Sequence, residues 1–221
     1  MSTAQVFPFN PLDKKNLGAS VAEALVTSTA HLLGNVPTFS GVGVYAIYYC
    51  GNFKPYKRIS EQNADRNQPR APIYVGKAVP AGTRKGNAIS DPLQSRSLFN
   101  RLSEHAESIR SAKNIEIVDF TCRYLIVDEI WIPLGESLMI AKFAPLWNTI
   151  VEGFGNHDPG SGRYQGLRPR WDVAHPGRTW ALKCKQREES AADILRDAAS
   201  YLENIVFPAS PHFTGTLGSA D

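Results

Sequence analysis

The stretch "GVGVYAIYYC", Gly41 to Cys50, and the later "PIYVGKA", Pro72 to Ala78, decide how this chain is read. The first is dense in Val, Ile and Tyr and reads as a strand. The second is a short apolar run that reaches Gly76 and turns basic at Lys77, as a buried strand does on entering a turn. Residues 51–71 between them are polar and basic, carry Pro55 and Pro69, and read as a long connection.

Outward from these two strands the periodicity changes. "LGASVAEALVTSTAHLLG", Leu17 to Gly34, has apolar residues at helical spacing and a glycine stop, which predicts an amphipathic helix after an irregular start over residues 1–16. Residues 79–92 are broken by Gly and Pro and read as a loop. Leu93 to Ala112 is helical by spacing, Asp119 to Val127 is a third strand, and Ile132 to Pro145 is a helix stopped by its proline. Residues 150–180 are rich in Gly and Pro, with basic and aromatic side chains interleaved. So long an irregular segment is functional or disordered, and Trp147, Tyr164 and Trp171 argue for order. Arg187 to Phe207 is a final helix. The sum is a small α+β core around a three-stranded sheet.

The chain has 221 residues, 43% hydrophobic and 20% charged, enough for one large domain with a substantial core. No apolar run approaches the roughly 18 residues of a membrane span. The opening "MSTAQVFPFNPLDKK" lacks a basic region followed by an apolar one, so no secretory signal is expected. Cys50, Cys122 and Cys184 are odd in number and far apart, which indicates neither a zinc ribbon nor a disulfide framework. A reducing cytoplasm is the simplest compartment.

Net charge is only +3, but it is unevenly placed. Residues 54–113 hold 12 Lys/Arg against 5 Asp/Glu, and residues 163–187 hold 7 against Asp172 alone. Two basic segments on an acidic body suit a polyanion; they suit solvated loop and helix faces equally well.

The chemistry-bearing side chains fall on these elements. Tyr45 is on the first strand, Tyr74 on the second, Arg101 and His105 are one turn apart on a helix, Glu136 is near the start of the next, and Asn148 follows its proline stop. Phosphodiester hydrolysis needs an activated water, a cation on the phosphate and help for the leaving oxygen. Arg grips phosphate bidentately, Glu suits a Mg²⁺ that keeps much of its water, and Tyr or His can take a proton.

"GVY" at Gly43–Tyr45 and "YVG" at Tyr74–Gly76, followed in order by Arg101, His105, Glu136 and Asn148, resemble the signature of the GIY-YIG nuclease superfamily over residues 41–150. The resemblance implies a small antiparallel sheet flanked by helices, with residues 1–40 as an N-terminal helical arm and 151–221 as a C-terminal recognition or dimerisation extension. "GFGNHDPGSGR", Gly153 to Arg163, and "WDVAHPGRTWA", Trp171 to Ala181, resemble the type II restriction endonucleases of that superfamily that cut CCGCGG. The 28 residues between Tyr45 and Tyr74 exceed the compact members' spacing, which suggests an insertion over 51–71 that embraces DNA or a second subunit.

The resemblance assigns roles as expectations. Tyr45 or His105 activates water, Tyr74 positions the water or a phosphate oxygen, and Arg101 clamps the phosphate. Glu136 holds one Mg²⁺ per active site, since a single carboxylate does not make a two-metal centre. Asn148 orients Glu136 or Tyr74, or touches substrate. Lys77 is a phosphate contact or a turn lysine. A GC-only site calls on arginines for guanine, so Arg163, Arg168, Arg170 and Arg178 are candidates with Asn156 and His157. The implied partners are double-stranded DNA, a second copy of the chain, and a cognate DNA methyltransferase protecting the host, in a bacterial cytoplasm with no membrane. A nicking or repair nuclease, or a DNA-binding module without catalysis, are the alternatives.

Overall fold

The computed structural model describes residues 13–79 and 94–213. Its centre is one antiparallel sheet of four strands, β1 (His31–Leu32), β2 (Gly43–Tyr49), β3 (Tyr74–Ala78) and β4 (Phe120–Ile126), in the order β1-β4-β2-β3. The helices are α1 (Lys14–Thr27), α2 (Lys57–Gln62), α3 (Ser97–Ser111), α4 (Ile132–Phe143), α5 (Leu146–Thr149), α6 (Arg170–Ala174) and α7 (Ala191–Asn204). The α+β class is as expected. No helix among the described residues is long and apolar enough to cross a membrane.

β2 reads as an unbroken apolar run because both its faces are covered. Side chains alternate across a strand, so Tyr45, Ile47 and Tyr49 join one core, with Leu98, Leu102 and Ile109 of α3 and with Trp147 and Trp171. Val44, Ala46 and Tyr48 join the other, with Ala22 and Leu25 of α1 and Ile132 and Met139 of α4. The C-terminal segment enters the first core through Phe154, Trp171 and Ile194.

Four features differ from the sequence reading. The first helix ends at Thr27, not Gly34, because the Thr27 hydroxyl donates to the Glu23 carbonyl at 2.8 Å and Ser28 Oγ to that of Leu25 at 2.8 Å. Such hydroxyls compete with the next helical turn. The chain freed there pairs His31 with Cys122 and Leu32 with Thr121, adding the fourth strand. The 51–71 connection holds the short helix α2, whose Ile59 is buried with the preceding Tyr56. Buried Asn63 closes this insertion: its amide donates to Tyr49 O (3.0 Å) and Ala71 O (2.8 Å), and its Oδ1 accepts from Arg70 N and Ala71 N (both 2.9 Å). The fourth difference is at the far end, where α7 begins at Ala191 under a Ser190–Asp193 capping box, later than expected. The loop expected over 79–92 falls largely outside the described residues.

The two motif glycines have a spatial cause. A Cβ on Gly43 would lie 1.9 Å from the Leu125 carbonyl oxygen, and one on Gly76 would lie 2.4 Å from the Tyr45 hydroxyl. Gly76 is the cross-strand partner of Tyr45, so the phenol lies over bare backbone. The obstacle at Gly43 is main chain and cannot rotate aside. Gly43→Ala should therefore cost ~1–3 kcal/mol or more. Urea unfolding measures this, and an unchanged midpoint would show that the β2–β4 spacing is not fixed there.

Candidate active site

β2, β3 and α3 bring four of the expected residues together. Tyr45 Oη lies 2.6 Å from His105 Nε2, both side chains buried. Tyr74 joins them: its ring centroid is 6.2 Å from that of Tyr45 and 5.3 Å from that of His105. One turn before His105, Arg101 sets its guanidinium beside both hydroxyls. Arg101 Nη2 also donates to the Gly155 carbonyl at 2.6 Å, and Nη1 meets Glu104 at 3.1 Å and the His157 imidazole.

Burial sets the protonation of the pair. It pushes the Tyr45 phenol well above its usual range; the neighbouring Tyr74 and Glu136 add to this, while Arg101 opposes it. His105 is held well below the ordinary imidazole range by burial first, then by Arg101 and Arg178. Tyr45 thus keeps its proton and donates it to a neutral Nε2. Tyr74 is raised as well, again by burial. Arg101 is raised: burial works against its charge, but the two tyrosines and Glu104 outweigh it.

Glu136 does not touch the tyrosines. It sits on α4 beside β3, close enough for its charge to act on both, and its carboxylate accepts from Lys77 Nζ at 2.7 Å. Lys77 is therefore a strand residue in an ion pair, not a turn lysine. Among the described residues no three His, Cys, Asp or Glu side chains cluster as metal ligands. One carboxylate suits a Mg²⁺ that takes its other oxygens from water and phosphate, so the donor set fits that ion.

Asn148 reaches neither Glu136 nor the hydroxyl of Tyr74 by any direct hydrogen bond. It spans the backbone of Val75, accepting from its N–H and donating to its C=O, both at 2.8 Å. β3 is the edge strand, and Asn148 stands in for a further strand beside it.

The six expected base readers divide. Asn156, His157 and Arg163 line a cavity of about 500 Å³ with Gly155, Trp180 and Cys184, next to the Arg101 end of the tyrosine site. Arg168 turns its head to the carbonyls of Ala181 and Leu182. Arg170 and Arg178 have protein partners. Arg170 binds Ile150 O, Asp197 and Glu189, and Arg178 is buried with its donors directed inward, so as placed neither offers a free fork to a base edge. Phe154 was missed by the sequence reading. It stacks on His105 at 4.4 Å and 19° and meets Tyr74 edge-on at 5.0 Å. Its signal was the Gly153-Phe154-Gly155 triplet, an aromatic held between two flexible residues.

Two strand tyrosines, a helix Arg and His beneath them, and a Glu at the sheet edge define the class of GIY-YIG nucleases. Residues 37–202 match the Eco29kI GIY-YIG domain, most of the chain, and the protein belongs to that restriction-endonuclease family. A search of curated proteins finds no match.

Two predictions follow from this geometry. Asn148→Ala should lower stability by about 1–3 kcal/mol, because it strands the Val75 N–H and C=O. Denaturant unfolding tests this, and full stability would return Asn148 to a purely chemical role. The second concerns acid. His175, buried against Tyr56, is lowered from 6.5 to about 3 by burial, and His105 is lowered too. Between those values the unfolded chain binds more protons than the folded one, so stability falls as pH drops below 6.5. Each histidine contributes up to ~1.4 kcal/mol per pH unit. The melting midpoint should fall from pH 7 to pH 4.5, with both imidazole NMR signals untitrated while the protein stays folded. Titration of both near pH 6.5 would overturn the neutral assignment.

Proposed function

We propose that the protein is a type II restriction endonuclease that uses Mg²⁺ to cut both strands of a palindromic GC-rich DNA site, with CCGCGG as the specific candidate. The observation that carries the chemistry is the 2.6 Å Tyr45–His105 contact with Arg101 beside it and Glu136 at the sheet edge. The site candidate rests on the resemblance of residues 153–163 and 171–181.

In this reading Arg101 keeps Nη2 on the Gly155 carbonyl and turns Nη1 from Glu104 and His157 toward the scissile phosphate. Water attacks phosphorus in line. Tyr45 takes the water's proton as its own passes to His105 Nε2, so the two candidate bases become one relay. The P–O3′ bond breaks and the departing O3′ takes a proton from solvent water, while His105 returns its own to solvent, leaving 5′-phosphate and 3′-hydroxyl. Tyr74 orients the water or a phosphate oxygen. Glu136 and phosphate oxygens would hold one Mg²⁺ per active site, which would neutralise the charge growing on the phosphate. Lys77, now paired with Glu136, supplies a cation to the same edge.

A two-fold site is matched most simply by a homodimer. Asn156, His157 and Arg163 are the side chains best situated for base readout. The expected setting is a bacterial cytoplasm in which a cognate methyltransferase protects host DNA.

Digestion of a sequenced plasmid with Mg²⁺, followed by mapping of both strand ends, tests this reading. Discrete double-strand cuts at one palindrome are expected. Glu136→Ala should reduce them by at least ~10²-fold while DNA is still retained in EDTA. Nicks without sequence preference, or retention without cutting, would replace the proposal.

A further inference from the structure

We propose that Arg178, paired with Asp172, is a positioning residue for DNA cutting: it fixes the backbone of residues 153–156 and, through that loop, the imidazole of His105 and the guanidinium of Arg101. The proposal rests on the nuclease reading above.

The Arg178 guanidinium has five N–H donors and makes five bonds. Nε reaches Asp172 Oδ1 at 2.7 Å, and Nη2 reaches Asp172 Oδ2 at 2.5 Å and the Gly153 carbonyl at 2.9 Å. Nη1 reaches the carbonyls of Phe154 and Asn156, both at 3.0 Å. Both partners are buried, and the guanidinium carbon lies 4.6 Å from the Trp171 ring centre and 4.8 Å from that of Trp180. Three carbonyls in four consecutive residues are thus held by one planar group.

That loop has little stiffness of its own. Gly153 has φ +103°, a conformation few other residues adopt, and Gly155 follows two positions later. Yet the loop touches three groups of the site. Phe154 stacks on His105 and meets the edge of Tyr74. The Gly155 carbonyl accepts from Arg101. A Cβ on Gly155 would lie 2.5 Å from the Tyr74 hydroxyl, so only bare backbone fits there. Two rival roles for Arg178 are base reading, for which no donor is free as placed, and ordinary stabilisation, which would leave the chemistry alone.

Arg178→Lys separates these. It keeps the charge but offers three donors and no plane, so it cannot hold all five acceptors. Four quantities are compared with wild type: single-turnover cleavage of plasmid DNA with Mg²⁺, DNA affinity in EDTA, melting temperature, and the ¹⁵N signals of the histidine rings. Tyr56→Phe, which breaks the buried Tyr56–His175 bond in the same core, controls for stability alone. For Arg178→Lys the expected result is a cleavage rate lower by tenfold or more, of the order that small misplacements cause. Affinity should stay within about threefold, a change small against the tenfold that 1.4 kcal/mol represents. The His105 signals should shift while those of His31, on β1, hold. Tyr56→Phe should melt earlier and cut at the wild-type rate.

A variant that melts earlier but cuts normally, with His105 unmoved, overturns the proposal. Lost affinity with an unchanged cleavage rate makes Arg178 a reader and overturns it too. If wild type cuts no DNA, the nuclease reading fails instead; the His105 signals then still decide whether Arg178 sets that ring, and their constancy overturns the inference.

Discussion

A phenol sealed from water needs an acceptor, and much of this molecule is arranged to give Tyr45 one. Its hydroxyl is fully buried and its acceptor is His105 Nε2. Leaving such a group unpaired would cost ~1–3 kcal/mol. The contact requires the ring to lie across β3, which only Gly76 permits, and it requires α3 to cross that face of the sheet in one register. The same register brings Arg101 beside the hydroxyls, since residues four apart share a helix face. Burial suppresses the charged form of each member, so the pair rests neutral with the proton on Tyr45. Charge arriving from outside, a phosphate on Arg101 or a cation at Glu136, is what can change that balance.

The molecule contains a second buried pair with the same atoms at the same distance. Tyr56 Oη lies 2.6 Å from His175 Nε2. There the neighbours close every bond: Trp147 Nε1 donates to the Tyr56 oxygen at 3.1 Å, and His175 Nδ1 meets Asn114 Oδ1 at 2.9 Å. With Nδ1 donating to Asn114, Nε2 accepts from Tyr56, and Tyr56 from Trp147, a chain of satisfied donors running through the core. Among the described residues no arginine acts on it. A Tyr–His hydrogen bond is therefore a general solution for burying two polar rings, and the surroundings of the Tyr45 pair give it chemical meaning.

That contrast shows what sequence can and cannot reveal. Strands β2, β3 and β4 and the long helices were legible because their apolar spacing is local and repeats. Tyr45, Tyr74, Arg101, His105 and Glu136 were legible as an ordered set, and the fold brings all but Glu136 into contact. β1 was not legible, because two residues carry no period and their pairing depends on where α1 stops. The arginines of the C-terminal segment could not be sorted by sequence, for a different reason. A basic residue reads the same whether it faces DNA or a buried carboxylate. Arg178 faces Asp172, and breaking such a buried pair costs ~3–5 kcal/mol. Only tertiary structure shows which arginines are committed inward.

The site is therefore built from parts of unequal rigidity. Tyr45 stands on the central strand, hydrogen-bonded on both sides, while Tyr74 stands on an edge that Asn148 completes with two bonds to Val75. An edge strand left open would fray and take Tyr74 and Lys77 with it. Arg101 and His105 have a helix beneath them but owe their final orientation to the glycine-flanked loop at Phe154. A long side chain such as Arg101 loses rotamer freedom when it is fixed, and a loop fixed by a buried ion pair can offset that loss before substrate arrives. Sheet and edge thus set where the tyrosines stand. The Arg178–Asp172 pair, more than 65 residues further along the chain, sets how the arginine and histidine face them.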